Sequence, residues 1–242
     1  AIVGATGAVG FLDDLGTLQR GGFTKGLSWR FKLAVLTVFS LIAAFILYYQ
    51  LDVQSLNVPW LGQYELGPVY IVIAVITIVA TTSAVAVTDG LDSLAGGTTL
   101  LAFVAYGVIA FIQGQEFVAT FAFIIAGANL GFLWYNAYPA KIFMGETGAL
   151  ALGASLAVIT LMTGHWLLLP LIGIVFVSEA LSNLVQIGYY KLNNGKRLLK
   201  RAPLHHHFEE LGWKESGIVT RFWVIGFAAA MVGIALALAV PE

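Results

Sequence analysis

The sequence contains no cysteine. That excludes disulfides and thiolate metal sites, and it leaves the redox compartment unread. Charge is scarce as well. Asp, Glu, Lys and Arg make up 10% of the 242 residues, while 59% are hydrophobic and the mean hydropathy is +0.89. Soluble globular domains carry about 25% charged residues. So few charges cannot cover a water-exposed surface, and the solvent for most of this chain is therefore lipid. The formal net charge of −1 says little about partners and gives no ground to expect a nucleic acid. No basic region precedes the apolar, Gly-rich opening at Ala1. No cleavable signal peptide is therefore visible, and the abrupt start reads as the middle of a membrane segment. Internal repeats and low-complexity linkers are also lacking.

What is present is a series of uncharged runs. A helix needs roughly 20 apolar residues to cross the hydrocarbon core. Lys32 to Asp52 encloses 19 uncharged residues, Glu65 to Asp89 23, Asp92 to Glu116 23, Glu116 to Lys141 24 and Arg221 to Glu242 20. The run 147–178, 32 residues long, exceeds one span and breaks at Thr163-Gly164-His165-Trp166, ahead of Pro170. Its second part continues through Glu179 to about Tyr190. With residues 1–12 as the end of a further span, the expectation is an all-α polytopic transmembrane helical bundle. It has about eight membrane segments in a single domain over 1–242.

Alternating these spans puts 13–32, 86–97, 136–147 and 191–216 on one side. Counting the flanking Arg221, that side receives all twelve Lys and Arg: four, none, one and seven by group. The opposite loops, 50–65, 113–116 and 164–167, carry none. By the positive-inside rule the Lys/Arg side is cytoplasmic. Residues 50–65, with Asn57, Pro59 and Gly62 as turn formers, read as the one sizeable external loop.

Acidic residues are distributed differently. Asp13, Asp14, Asp89, Asp92 and Glu146 all fall at cytoplasmic ends of spans. Asp89 and Asp92, spaced i, i+3, share a face if their turn is helical. Carboxylates converging on one membrane face repel one another unless a cation offsets them. Oxygen ligands of this kind suit Mg²⁺, which takes one or two carboxylates and keeps waters or substrate phosphates. The competing reading is that each acid only caps a helix or faces water. Their Gly-rich turns, Thr88-Asp89-Gly90 and Met144-Gly145-Glu146-Thr147-Gly148, favour a shared site, because glycine lets backbone N–H groups come close to an anion. Glu179 lies inside a span, where it either lines the cavity or bonds a neighbouring helix; both readings stay open.

Three consecutive histidines, His205, His206 and His207, follow in the largest basic loop. They can bind metal, hydrogen-bond phosphates or titrate near neutrality. On a helix, adjacent residues point about 100° apart, so the three would not ligate one metal. Lys200 and Arg201 beside them favour an anion-binding role over an inert solvated run. The lone His165 reads as an interfacial residue on the other side.

Together these stretches resemble the phospho-N-acetylmuramoyl-pentapeptide-transferase family (the MraY family). Four blocks carry the resemblance: Val9-Gly10-Phe11-Leu12-Asp13-Asp14; Val87-Thr88-Asp89-Gly90-Leu91-Asp92-Ser93-Leu94-Ala95; Asn136-Ala137-Tyr138-Pro139-Ala140 through Phe143-Met144-Gly145-Glu146-Thr147-Gly148; and Ala202-Pro203-Leu204-His205-His206-His207-Phe208-Glu209. They occur in the family's order and span nearly the whole chain. The carboxylate blocks mark a wider superfamily of polyprenyl-phosphate sugar-1-phosphate transferases, and the histidine block points to this member.

The resemblance implies ten transmembrane helices, Mg²⁺ dependence, a multi-pass place in the bacterial cytoplasmic membrane and a cytoplasmic site. The implied reaction moves phospho-MurNAc-pentapeptide from its UDP carrier to undecaprenyl phosphate, releasing UMP and forming the first lipid-linked peptidoglycan precursor. It also implies a homodimer. Carried onto matching positions, Asp13 and Asp14 are the paired aspartates, with Asp13 the base for the lipid phosphate. Asp89 and Asp92 belong to the second acidic motif, and Glu146 takes the metal-ligand position with help from Asp89. His205, His206 and His207 form the catalytic triplet. Asn136, Phe143, Gln186 and, more weakly, Lys25 are expected at the substrates. The chain departs from the family in three places. Two helices preceding the paired aspartates are missing, Ala86 stands where the family has Asn, and Glu146 replaces Asp. A related GlcNAc-1-phosphate transferase, a secondary transporter and a non-catalytic homologue are the competing readings.

Overall fold

The computed structural model describes residues 2–19 and 26–240. In chain order its elements are α1 (Ile2–Gln19), α2 (Trp29–Phe45), β1 (Ser55–Val58), β2 (Gly62–Glu65), α3 (Val69–Thr88), α4 (Leu94–Ile112), α5 (Glu116–Asn136), α6 (Gly145–Met162), α7 (Leu169–Ile172), α8 (Ile174–Leu192), α9 (Leu204–Glu210) and α10 (Glu215–Ala237). A π-helical turn, Ile46–Gln50, prolongs α2, and a 3-10 turn, Trp166–Leu168, leads into α7. The Lys25 position lies outside the described residues.

Among the described residues six helices are long and apolar enough to cross a membrane: α2 with its π turn, α3, α4, α5, α6 and α10. The Trp166–Ile172 segment and α8 together make a seventh crossing, broken and bent by 81°. α1, which carries Asp13 and Asp14, packs along α6 but is not apolar enough to count as a crossing, so the described residues give up to seven of the eight expected segments. The anticipated break after α6 is present, with Gly164 at φ +70°. The second break, at Gly173, is invisible in the hydropathy pattern because its flanks are uniformly apolar.

Large apolar side chains such as Val72, Ile76, Ile124, Leu130, Val224 and Val232 are exposed around the bundle. Such a belt suits lipid and would drive association in water. Inside, Phe103 and Tyr106 of α4 are fully enclosed with Leu156 and Ile159 of α6 and Ala122 of α5. Within lipid, helices associate by close packing of small residues rather than by a hydrophobic drive. Gly10 of α1 lies so near the Glu146–Thr147 backbone that a Cβ there would overlap it. Any larger residue would push α1 away from the start of α6.

Residues 50–65 connect two helices as expected, and within them 55–65 form an antiparallel hairpin, pairing Ser55 with Glu65 and Val58 with Gly62. Pro59 lies in its turn and Gly62 takes φ +99°, while Asn57 belongs to β1 rather than to a turn. The hairpin's outer backbone is satisfied by the neighbouring end of α6: the Asn57 N–H donates to the Gly164 carbonyl (2.9 Å) and Asn57 Nδ2 to the Thr163 carbonyl (3.0 Å). The Trp60 N–H reaches the Ala239 carbonyl beyond α10 (2.8 Å). His165 is not interfacial. It is 2% exposed, its Nδ1 lies 2.9 Å from the Thr163 carbonyl, and its own carbonyl accepts from the Tyr106 hydroxyl at 3.1 Å. Burial lowers its pKa against the opposing pull of the Thr163 and Ala237 carbonyls, so the ring is neutral at pH 7.

Candidate active site

The expected site residues gather at the end of the bundle opposite the hairpin, where helices start and stop. At the head of α6, Gly145 takes φ +63°, and the first N–H groups of the helix point back at α1. Asp14 receives them. Its Oδ1 accepts the Glu146 N–H (3.1 Å), and Oδ2 accepts the Thr147 N–H (3.0 Å) and hydroxyl (2.6 Å). A helix N-terminus has unpaired N–H groups and the positive end of the macrodipole, so Asp14 acts as a cap supplied by another helix. It fixes where Glu146 sits. Asp14→Ala is expected to cost about 1–2 kcal/mol of stability, the upper range for losing an N-cap. Thermal unfolding measures this, and an unchanged midpoint would deny Asp14 its capping role.

Asp13 is buried. One of its carboxylate oxygens accepts the Leu27 N–H. The other lies 3.2 Å from Lys32 Nζ, which also bonds Glu146 Oε1 at 3.0 Å. Lys32 therefore ties α1 to α6, with all three side chains at most 32% exposed. Sequence reasoning missed this residue.

Asp89 begins the turn after α3, leaving helical geometry at ψ 64°. Its carboxyl is pushed up to about 6, first by burial and then by the charges of Glu146 and Asp14. That places Asp89 within electrostatic reach of the α1–α6 junction. Among the described residues, no donor reaches its carboxylate.

Asp92 does not share a face with Asp89. The turn is not helical, because Ser93 adopts φ +63°. Asp92 Oδ2 accepts the Ala140 N–H (2.8 Å), while its own N–H donates to Glu215 Oε1 (2.7 Å). Asn136 works beside it: Oδ1 accepts the Ser93 N–H (2.9 Å) and Nδ2 donates to the Ile142 carbonyl (2.8 Å). Trp223 Nε1 donates to the Ser93 carbonyl at 3.2 Å. Asp92 and Asn136 thus bracket the turn that presents Asp89, with Asp92 Oδ1 left without a partner among the described residues. Ala86 lies one turn back on α3.

The histidines separate along α9. His205 is 1% exposed and bonds Glu179 twice, its N–H to Oε1 (3.1 Å) and its Nδ1 to Oε2 (3.0 Å). Its ring comes up against Gly90, beside Asp89. His206 pairs with Glu209 at 2.6 Å, and His207 Nδ1 accepts the Lys200 N–H at 3.2 Å. Gln186 faces the backbone after α8: Oε1 accepts the Leu198 and Leu199 N–H groups at 3.1 and 2.9 Å, and Nε2 donates to the Leu199 carbonyl at 3.2 Å. Phe143 is 77% exposed. The structure therefore brings Asp13, Asp14, Lys32, Glu146 and Asp89 together, with His205 adjoining. His206, His207 and Gln186 engage their own segment.

Two cavities adjoin this end. A groove of about 480 Å³ runs between α3, α7 and α8, lined by apolar residues that include Ile76, Ala84, Val87, Phe176, Ala180 and Leu184. A basic pocket of about 360 Å³, lined by Lys191, Arg197 and Arg201, shares Asn183 with it.

Among the described residues no three Asp, Glu or His side chains form a ready-made metal cage. The donors nevertheless fit Mg²⁺. A cation, the Lys32 ammonium, already spans Asp13 and Glu146, and nearby Asp89 is unengaged among the described residues. Mg²⁺ asks for one or two carboxylates and fills its octahedron with water and phosphate.

Comparison with known proteins gives the family. Residues 1–164 match the sequence profile of glycosyl transferase family 4. A Chloroflexus aurantiacus protein named phospho-N-acetylmuramoyl-pentapeptide-transferase is 48% identical over 95% of the chain and 66% of its own length. Proteins of the same name from Listeria monocytogenes (42%; 94% of the chain, 70% of the relative) and Desulforapulum autotrophicum (40%; 94% and 68%) are also similar. The chain thus spans about two thirds of the length of these relatives.

Proposed function

The chain belongs to the phospho-N-acetylmuramoyl-pentapeptide-transferase family, within glycosyl transferase family 4, and from that membership we propose that it transfers phospho-MurNAc-pentapeptide from the UDP-linked sugar to undecaprenyl phosphate, releasing UMP at the cytoplasmic face of the bacterial inner membrane. The observation that carries this reading is the Asp13–Lys32–Glu146 junction beside Asp89, at the head of an apolar groove.

The reaction joins two polyanions, so positioning and charge neutralisation make up most of the barrier. Glu146 and Asp89 are the residues to hold Mg²⁺, which when bound supplies charge neutralisation and polarises the transferred phosphoryl group. The groove between α3 and α8 takes the polyprenyl tail, and Val87 leads its head toward Asp89. Asp13 orients the lipid phosphate and takes any remaining proton. The second pKa of a phosphate monoester is near 6, so the proton transfer itself contributes little at neutral pH. Lys32, between Asp13 and Glu146, brings positive charge to the meeting point of the two phosphates. Asp13 has both oxygens engaged, by Leu27 and Lys32. It is therefore better placed to orient an attacking oxygen than to act as a covalent nucleophile.

The test is Mg²⁺-dependent UMP release by the protein with any natural N-terminal extension, given undecaprenyl phosphate and either UDP-MurNAc-pentapeptide or UDP-GlcNAc. Release with the first alone is expected. Release with UDP-GlcNAc alone would reassign the sugar, and silence with both would end the proposal. Trapping a phospho-aspartate with the UDP-sugar alone would refute direct attack.

A further inference from the structure

Among the described residues Glu179 is the one carboxylate fully enclosed in the bundle: it lies within α8 and is 0% exposed. A buried charge without partners is strongly disfavoured, yet among the described residues Glu179 bonds neither Lys nor Arg. Both its oxygens go to one residue, His205, one to the backbone N–H and one to ring Nδ1. An ionised carboxylate accepts only, so with Glu179 ionised it is Nδ1 that carries the proton. The other ring nitrogen, Nε2, is buried and has no hydrogen-bond partner among the described residues. It abuts Gly90 in the place a side chain at that position would fill. Buried polar atoms are nearly always paired, and an exception calls for a reason such as a catalytic role.

We propose that Glu179 is a positioning residue: it holds His205 with Nδ1 protonated, so that Nε2 is the one exchangeable ring position presented to the Asp89–Gly90 turn. The proposal rests on the phosphoryl-transfer reading of this end of the bundle. A phosphate oxygen bound at the turn satisfies Nε2, which receives a proton from it or, once protonated, donates to it. Glu179 offsets the imidazolium charge in that second state. The glycine at 90 lets Nε2 lie directly against the turn, because any side chain there would overlap the ring. His206 also meets a carboxylate at Nδ1, that of Glu209, but this pair is solvent-exposed, with side chains 24% and 37% accessible, whereas the Glu179–His205 pair is enclosed; His207 Nδ1 accepts the Lys200 N–H instead.

Glu179→Gln separates this role from simple packing. The His205 backbone N–H accepts nothing, so it forces the amide oxygen toward itself, and the NH₂ group must then face Nδ1. The fold keeps both contacts, but the ring proton moves to Nε2. In serine proteases the equivalent carboxylate-to-amide change lowers turnover about 10⁴-fold through the wrong tautomer alone. Two readouts are needed on the complete protein with ¹⁵N-labelled histidine. Ring ¹⁵N spectra should show Nδ1 of His205 protonated in the wild type and Nε2 protonated in E179Q. UMP release should fall in E179Q by about 100-fold or more in kcat, with KM for the UDP-sugar within about 3-fold, since a positioned proton acts in the transition state. Gly90→Ala should keep the wild-type tautomer and still lose turnover. A wild-type ring protonated at Nε2, or an E179Q enzyme with altered tautomer and normal kcat, overturns the proposal. If the wild type transfers no sugar phosphate at all, the functional reading fails on its own, and the spectra alone decide the role of Glu179.

Discussion

Replacing Glu146 by Gln is expected to lower kcat by about three orders of magnitude, because a metal's transition-state charge stabilisation is worth several kcal/mol and each tenfold in rate is about 1.4 kcal/mol. The amide preserves size and keeps its oxygen, so the loss isolates the charge. Glu146 is anchored independently of that charge: Asp14 accepts its backbone N–H, and Gly10 packs against its carbonyl. The variant should therefore fold normally and need more Mg²⁺ for half-maximal UMP release. Glu146→Asp should retain activity, since it withdraws the carboxylate by only one methylene. Near-normal turnover in E146Q, with unchanged Mg²⁺ dependence, would remove Glu146 from the metal shell.

Lys32→Met should have the next largest effect, and its signature differs. The variant strands Asp13, whose side chain is 9% exposed, opposite Glu146 at 32%. Removing one partner of a fully buried pair costs about 3–5 kcal/mol, whereas exposed pairs contribute under about 1 kcal/mol. With Lys32 itself 26% exposed, a loss of about 1–3 kcal/mol follows. Millimolar Mg²⁺ should restore much of it, because a divalent ion can take the place of the ammonium; saturation at 100 times Kd returns about 2.7 kcal/mol. Thermal unfolding with and without Mg²⁺ reads this directly. Turnover should stay at least about 100-fold down even with the metal, for want of the positive charge between the phosphates. A variant whose melting ignores Mg²⁺, or whose turnover is normal, would refute this account of Lys32.

The bundle and the carboxylate end of it were largely legible in the sequence, because hydropathy runs and acidic Gly-rich turns are local signals. Lys32 was not. It stands in an ordinary basic stretch with Arg30, and its significance comes from Glu146, 114 residues away. Lys25 was singled out instead and lies outside the described residues. Asp92 and Asn136 are expected at the site from residue type, and the turn at Ser93, which leaves helical geometry, adds a backbone-holding role that the sequence does not display. Polar residue types alone do not distinguish a bracket from a contact. Glu179 was ambiguous for the opposite reason: nothing local marks the partner of a buried acid, and only the return of α9 onto α8 supplies one. His165 was misread because the hairpin that covers it has no alternating apolar pattern.

Four side chains lining the apolar groove, Ile76, Leu167, Leu181 and Leu184, are also 46–65% exposed on the outer belt. The groove is therefore open sideways to lipid, and in the proposed reaction the polyprenyl chain enters it without ever leaving the bilayer. Encounter then takes place in two dimensions, and the rate follows the carrier's mole fraction among lipids rather than its amount per litre. Diluting vesicles with buffer should leave turnover untouched, while diluting the carrier with inert phospholipid should slow it.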